Sequence, residues 1–119
     1  MTGIQELLDD LNLRDGVRGG AVATADGIMV ASALNGRFQD DVVTGLASFL
    51  VWTTRRAMGE SDVRLDRFVM HATHGKLVIV DIGDAFLVVI SDQFADLDVL
   101  LVDIDETARL LRRCVRLES

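Results

Sequence analysis

Two runs of small and β-branched residues, Val17–Ala25 and Ile28–Ala33, are separated only by Asp26-Gly27. No other feature restricts the fold of this chain as strongly. So short a connection cannot start a parallel strand, which needs a crossover of about a dozen residues or more, so the two runs must pair antiparallel. Asp-Gly suits such a hairpin because both turn positions call for φ above zero. The same logic recurs downstream. His74-Gly75 turns Arg64–Thr73 into Lys76–Ile82, and Gly83-Asp84 turns that run into Ala85–Ser91. The last two runs are almost continuously apolar and belong in the middle of a sheet. Arg64–Thr73 mixes charge with Leu65, Phe68, Val69 and Met70, as an edge strand does.

Three segments change period. Ile4, Leu7, Leu8 and Leu11 recur at helical spacing behind Thr2-Gly3-Ile4-Gln5, which has the form of a capping box, and Asp15-Gly16 ends that helix. Asn35-Gly36 leads into a helix over Asp40–Met58. Asp40 and Asp41 lie in its first turn, Arg55 and Arg56 in its last, and Gly59 follows as a stop. Glu60-Ser61-Asp62 is a polar connector. Leu97, Leu100, Leu101, Ile104, Ala108, Leu111 and Val115 form a stripe running to the C-terminus. Acids early in that helix (Asp98, Asp103, Asp105, Glu106) and Arg109, Arg112, Arg113 and Arg116 late in it suit the helix dipole. The order α-β-β-α-β-β-β-α defines an α+β fold, a five-stranded antiparallel sheet flanked by helices, in one domain over residues 1–119.

The long helix is too apolar for one sheet. On a helical wheel Val42, Val43, Leu46, Ala47, Phe49, Leu50, Ala57 and Met58 fill one broad arc, which is expected to meet the sheet. Gly45, Ser48, Trp52 and Arg56 fall outside it, small residues followed by a large ring, and suit a second helix. The first strand, with Gly19, Gly20, Ala21, Ala23 and Ala25, is thin enough to let the long helix lie close across it.

Composition removes several functions. A formal charge of −7 and the absence of a basic, aromatic-laced patch argue against nucleic acid. The longest apolar run, Ala85–Ile90, is far short of the roughly 20 residues that span a bilayer, and the N-terminus has no signal-peptide pattern. The lone Cys114 forms no internal disulfide, so the cytoplasm is the expected compartment. No glycine run carries a dinucleotide or P-loop pattern. His71 and His74 lack zinc-ligand spacing, and the acids before and within the last helix lack that of a calcium loop. Cys114 is expected in the core, and neither Ser32 nor Ser48 has an activating partner. The chain is read as no enzyme and as holding no cofactor or metal.

The hairpin Gly20-Ala21-Val22-Ala23-Thr24-Ala25-Asp26-Gly27-Ile28-Met29-Val30-Ala31-Ser32 resembles the signature of the Roadblock/dynein light chain family, and the order of elements along the whole chain resembles it too. That resemblance implies a profilin-like homodimer in which the two long helices pack together and the edge strands can join the sheets. It places Gly45, Ser48, Trp52, Arg55, Arg56, Phe68 and Met70 at a dimer or partner interface. It implies a regulator that stimulates or positions a Ras-like small GTPase without supplying a catalytic arginine, so Arg55 or Arg56 would dock rather than act as a finger. A light-chain or scaffold subunit with no effect on turnover is the alternative. A small-molecule sensor is a third reading, disfavoured because the thin first strand suits close packing rather than a pocket wall. Eleven arginines against the single Lys76 suit a bacterial, high-GC source.

Overall fold

The computed structural model describes residues 3–34, 38–59 and 66–118, with side-chain environments to residue 114. The elements are α1 (Ile4–Asn12), β1 (Val17–Thr24), β2 (Met29–Ser32), α2 (Asp40–Ala57), β3 (Arg67–Ala72), β4 (Gly75–Asp81), β5 (Ala85–Asp92) and α3 (Leu97–Glu118). They form one antiparallel five-stranded sheet in the order β2-β1-β5-β4-β3. β4 and β5 are interior strands and β3 is an edge, as their composition predicts.

Strand alternation splits the core in two. Val22, Leu87, Val89, Val78 and Val80 face α1 and α3, meeting Leu7, Leu8, Leu11, Leu100, Ile104 and Leu111. Phe86, Val88, Leu77 and Ile79 face the other way, under Ala47 and Val51 of α2. The thin strand β1 therefore serves both layers. Gly20 pairs with Val89 and Ala21 with Val88, so the two point to opposite faces. A Cβ on Gly20 would touch Leu8 of α1 at 3.5 Å, and one on Gly19 would lie 2.8 Å from Leu34. The close approach at these glycines comes from α1 and from the segment after β2. The long helix covers Ala21 and Ala23, the residues that share a face with Val88 and Phe86.

Turn chemistry departs from expectation in three places. Among the described residues only glycines have positive φ, so Asp26-Gly27 does not form the two-residue mirror turn. Instead Ala25, Asp26 and Gly27 form a three-residue loop. Gly27 N donates to Thr24 O at 3.0 Å, Thr24 N donates to Ile28 O at 2.9 Å, and Gly27 alone takes φ +90°. Placing one glycine in the left-handed position spares Asp26 the steric cost of positive φ. Gly75 is not part of its turn either. It opens β4, where a Cβ would lie 2.5 Å from the Ser91 carbonyl oxygen. The connector before it is Thr73-His74.

The third departure is at the first helix. Gly3 is its N-cap with no side-chain bond, and Gln5 donates to Ser32 O at 2.9 Å instead of completing a capping box. The other half of that expectation, Thr2, lies outside the described residues, as do Asn35-Gly36, the Glu60-Ser61-Asp62 connector, Arg64 and Leu65. At the far end, Asp96 caps α3 by accepting from Asp98 N, and Lys76 Nζ donates to Gln93 O and Ala95 O. Arg109 pairs with Glu106 and Arg112 donates to Asp81 O, so these two arginines are committed to the fold.

Candidate interaction surface

α2 sits on the sheet by a narrow stripe of small and medium residues. Thr44, Ala47 and Val51 are buried, flanked by half-buried Val43 and Leu50. This is roughly a quarter turn away from the arc that hydrophobicity alone selects. Two polar anchors set the rotation. Ser48 Oγ and Trp52 Nε1 both donate to the Ala25 carbonyl at the tip of the first hairpin, at 2.6 and 2.8 Å. Ser48 and Trp52 thus bind their own hairpin through their polar atoms, while Trp52 stays 44% exposed.

The rotation turns the large residues outward. Val42, Leu46 and Phe49 lie opposite the buried stripe, and Phe49 is 64% exposed. Gly45 lies beside them with nothing within 4 Å of a Cβ, so this expected site residue does face open space. Arg56 is exposed. Arg55 is not free to project. Its guanidinium lies 5.6 Å from the Trp52 ring centroid and 5.5 Å from that of Phe86, and its Nε is buried without a hydrogen-bond partner. Stacking on two rings holds the cation through their quadrupoles and clamps it on the sheet.

Phe68 and Met70 belong to β3 and point to the α2 side, since they pair with Ile79 and Leu77. Between them and the first turns of α2 lies an apolar groove of 640 Å³, walled by Val42, Val43 and Leu46 on one side and Met70, Leu77 and Ile90 on the other. It runs from Met70 and Ala72 of β3 across to Arg18 of β1. Phe49, Leu46, Val42, the groove and Met70 make one continuous apolar strip that ends at the sheet edge.

The two sheet edges differ. β3 runs in unbroken register with β4, from Arg67↔Val80 to Ala72↔Gly75, and among the described residues no strand pairs with its outer side. β2 is four residues long, and a register shift between Val22 and Ala23 leaves Val30 unpaired. A bulge of that kind blocks edge-to-edge pairing, whereas a regular edge permits it.

Of the residues singled out from sequence, Gly45, Phe68 and Met70 lie on this strip or its border, Ser48 and Trp52 contact the first hairpin, and Arg55 stacks on Trp52 and Phe86. Val42, Leu46 and Phe49 were missed, having been assigned to the sheet. The available signal was steric. A strand built of Ala21 and Ala23 lets a helix approach through residues as small as Thr44 and Ala47, and a Phe would hold it away. Among the described residues no group of three His, Cys, Asp or Glu side chains is placed to bind a metal ion, and no helix is long and apolar enough to cross a membrane.

No family model matches the chain. The uncharacterized protein MJ0714 of Methanocaldococcus jannaschii is 31% identical over 106 residues, covering 88% of this chain and 90% of that one. MJ1340 of the same organism is 28% identical over 110 residues, covering 92% and 96%. Among solved structures, a Roadblock/LC7 domain from Streptomyces avermitilis superposes with a TM-score of 0.84 at 20% identity, over 97% of this chain and 99% of that one. Myxococcus xanthus MglB gives 0.83 at 17%, over 95% and 94%. LokiProfilin1, solved with rabbit actin, gives 0.64 at 16%, over 92% and 94%. At these identities the structural likeness is one of fold.

Proposed function

Since this chain has the Roadblock/LC7 fold and belongs to one family with MJ0714, we propose that it is a non-enzymatic homodimeric regulator that binds a Ras-like small GTPase and stimulates or positions it. The observation that carries the reading is the strip from Phe49 through Leu46 and Val42 to Met70, which ends on the regular open edge of β3. Two copies related by a two-fold axis bury such a strip against itself, helix on helix and edge on edge. The partner's identity rests on the family resemblance of the hairpin and the element order, and the cytoplasm is where such a partner would be met. Partner docking then uses the surface that the two α2 helices build together, with Arg56 exposed beside it. Arg55, clamped between two rings, acts as a fixed part of that surface and not as a finger.

GTP hydrolysis by the cognate GTPase, with and without this protein, tests the regulatory claim. A changed turnover together with a stable complex supports it. Neither a complex nor a rate change would remove it. The clamping of Arg55 favours a second reading, a dimeric scaffold or adaptor subunit. That reading predicts a complex with unchanged turnover, so the same assay separates the two.

A further inference from the structure

Among the described residues, the two most exposed large apolar side chains lie on the opposite layer from α2. Phe94 is 84% exposed and Leu13 83%. They belong to different loops, Leu13 just after α1 and Phe94 between β5 and α3, yet both border one groove of 740 Å³ that also takes in Val99 of α3. Neither packs on the core of its own chain.

The loops that carry them are fixed. Asp92 N donates to Gly16 O at 2.8 Å and Phe94 N to Asp92 Oδ1 at 2.9 Å. Lys76 Nζ ties down the carbonyls of Gln93 and Ala95 at 3.2 and 3.1 Å. Gly16, at φ +85°, lies so close to Ala95 that a Cβ would sit 2.6 Å from the alanine methyl. Phe94 is therefore held out into water by a rigid support, which lowers the ordering cost of binding anything to it.

Charge selects the occupant. The same groove is bordered by Asp15, Asp92, Asp96 and Asp103 and by one cation, Arg14, whose Nε lies 4.0 Å from Asp103 Oδ2. Exposed apolar side chains interspersed with carboxylates repel phosphates and attract a cationic chain that carries an apolar side chain. We propose that this groove docks a basic peptide segment of a partner protein, in which Lys or Arg residues flank an aliphatic or aromatic anchor. The anchor packs on Phe94, Leu13 and Val99, and the cations meet the carboxylates. This site is separate from the α2–β3 strip and does not depend on it.

The test uses the full chain, isotope-labelled, titrated with an amphipathic helical peptide of leucine and arginine. Two controls replace the leucines by alanine or the arginines by glutamate. Amide shifts are expected to centre on Leu13, Phe94 and Val99, and each control peptide is expected to bind more weakly by about tenfold or more. Phe94→Ser alters an exposed side chain and should keep the fold while weakening the peptide about fivefold or more. Asp103→Asn should weaken it and flatten its salt dependence. Equal binding of the alanine peptide would mean charge attraction alone and would overturn the proposal. Shifts centred on Leu46 and Phe49, or unchanged affinity in Phe94→Ser, would overturn it as well.

Discussion

Trp52 donates its indole N–H to the main-chain carbonyl of Ala25 at 2.8 Å, and this contact determines which face of the long helix looks outward. Ser48, one turn earlier, reaches the same oxygen at 2.6 Å. With the hairpin tip held by two donors, Val42, Leu46 and Phe49 are left facing solvent.

Loss of either donor should loosen the helix on its hairpin without unfolding the sheet. Trp52→Phe and Ser48→Ala are each expected to cost about 0.5–1.5 kcal/mol, the net worth of one such bond. The chain has a single tryptophan, so in Ser48→Ala the emission of Trp52 reports directly on its docking during urea unfolding. Unchanged midpoints in both variants would show that the shared carbonyl does not set the helix rotation. Trp52→Glu should act first on the stability of one chain, and on self-association only as a consequence.

Phe49→Glu makes the converse test. Phe49 is outward and largely exposed, so at a concentration where the protein is monomeric the substitution should leave the melting temperature nearly unchanged. In a dimer built on the α2 strip it places an uncompensated charge in an apolar interface. The dissociation constant should then rise by about tenfold or more in light scattering across a concentration series. A dimer insensitive to Phe49→Glu would have to form elsewhere.

Two glycines should respond with opposite signs. At Gly75 a Cβ meets the Ser91 carbonyl at 2.5 Å, so Gly75→Ala forces β4 away from β5 and should cost about 1–3 kcal/mol or more. At Gly45, inside α2 with open space around it, alanine removes a helix penalty and should stabilise the chain by up to about 1 kcal/mol. Thermal unfolding of the two variants at a concentration where the protein is monomeric compares them directly.

Glu106 and Arg109 form an exposed pair one turn apart on α3, with Nη2 to Oε1 at 2.6 Å. The hydrogen bond from Arg109, aided by its charge, holds the Glu106 carboxyl below its ordinary pKa, and the same bond raises that of Arg109. A carboxylate with a depressed folded-state pKa contributes stability that is present above its unfolded pKa and is lost as pH falls through the folded one. The pair should therefore help in full above the normal glutamate range and lose that help progressively as pH falls below it. Arg109→Ala is expected to move the Glu106 titration upward in a carboxyl-detected NMR experiment, and high salt should do the same more weakly. An unmoved titration would show that the pair does not persist in solution.

Local rules made much of this molecule legible in advance. Short connections permit only antiparallel neighbours, so the pairs β1–β2, β3–β4 and β4–β5 follow from Asp26-Gly27, Thr73-His74 and Gly83-Asp84, whereas the join of β1 to β5 is a contact between distant segments. The apolar runs of β4 and β5 required interior places, the mixed composition of β3 required an edge, and the stripes of α1 and α3 marked the sides they bury. Each of these depends on hydrogen-bond geometry or periodicity within a few residues. The orientation of α2 does not. Its surface is apolar over so wide an arc that hydrophobicity allows several rotations, and the choice among them was made by partners distant in the chain: the Ala25 carbonyl, the small face of β1, and the ring of Phe86 under Arg55. The groove at Phe94 has the same origin, because Leu13 and Phe94 share it only once α1, β5 and α3 have met. The sequence determined which elements exist and how the strands run. Tertiary packing decided which side chains were left facing outward, because that depends on where the contacts of every other element have already been used.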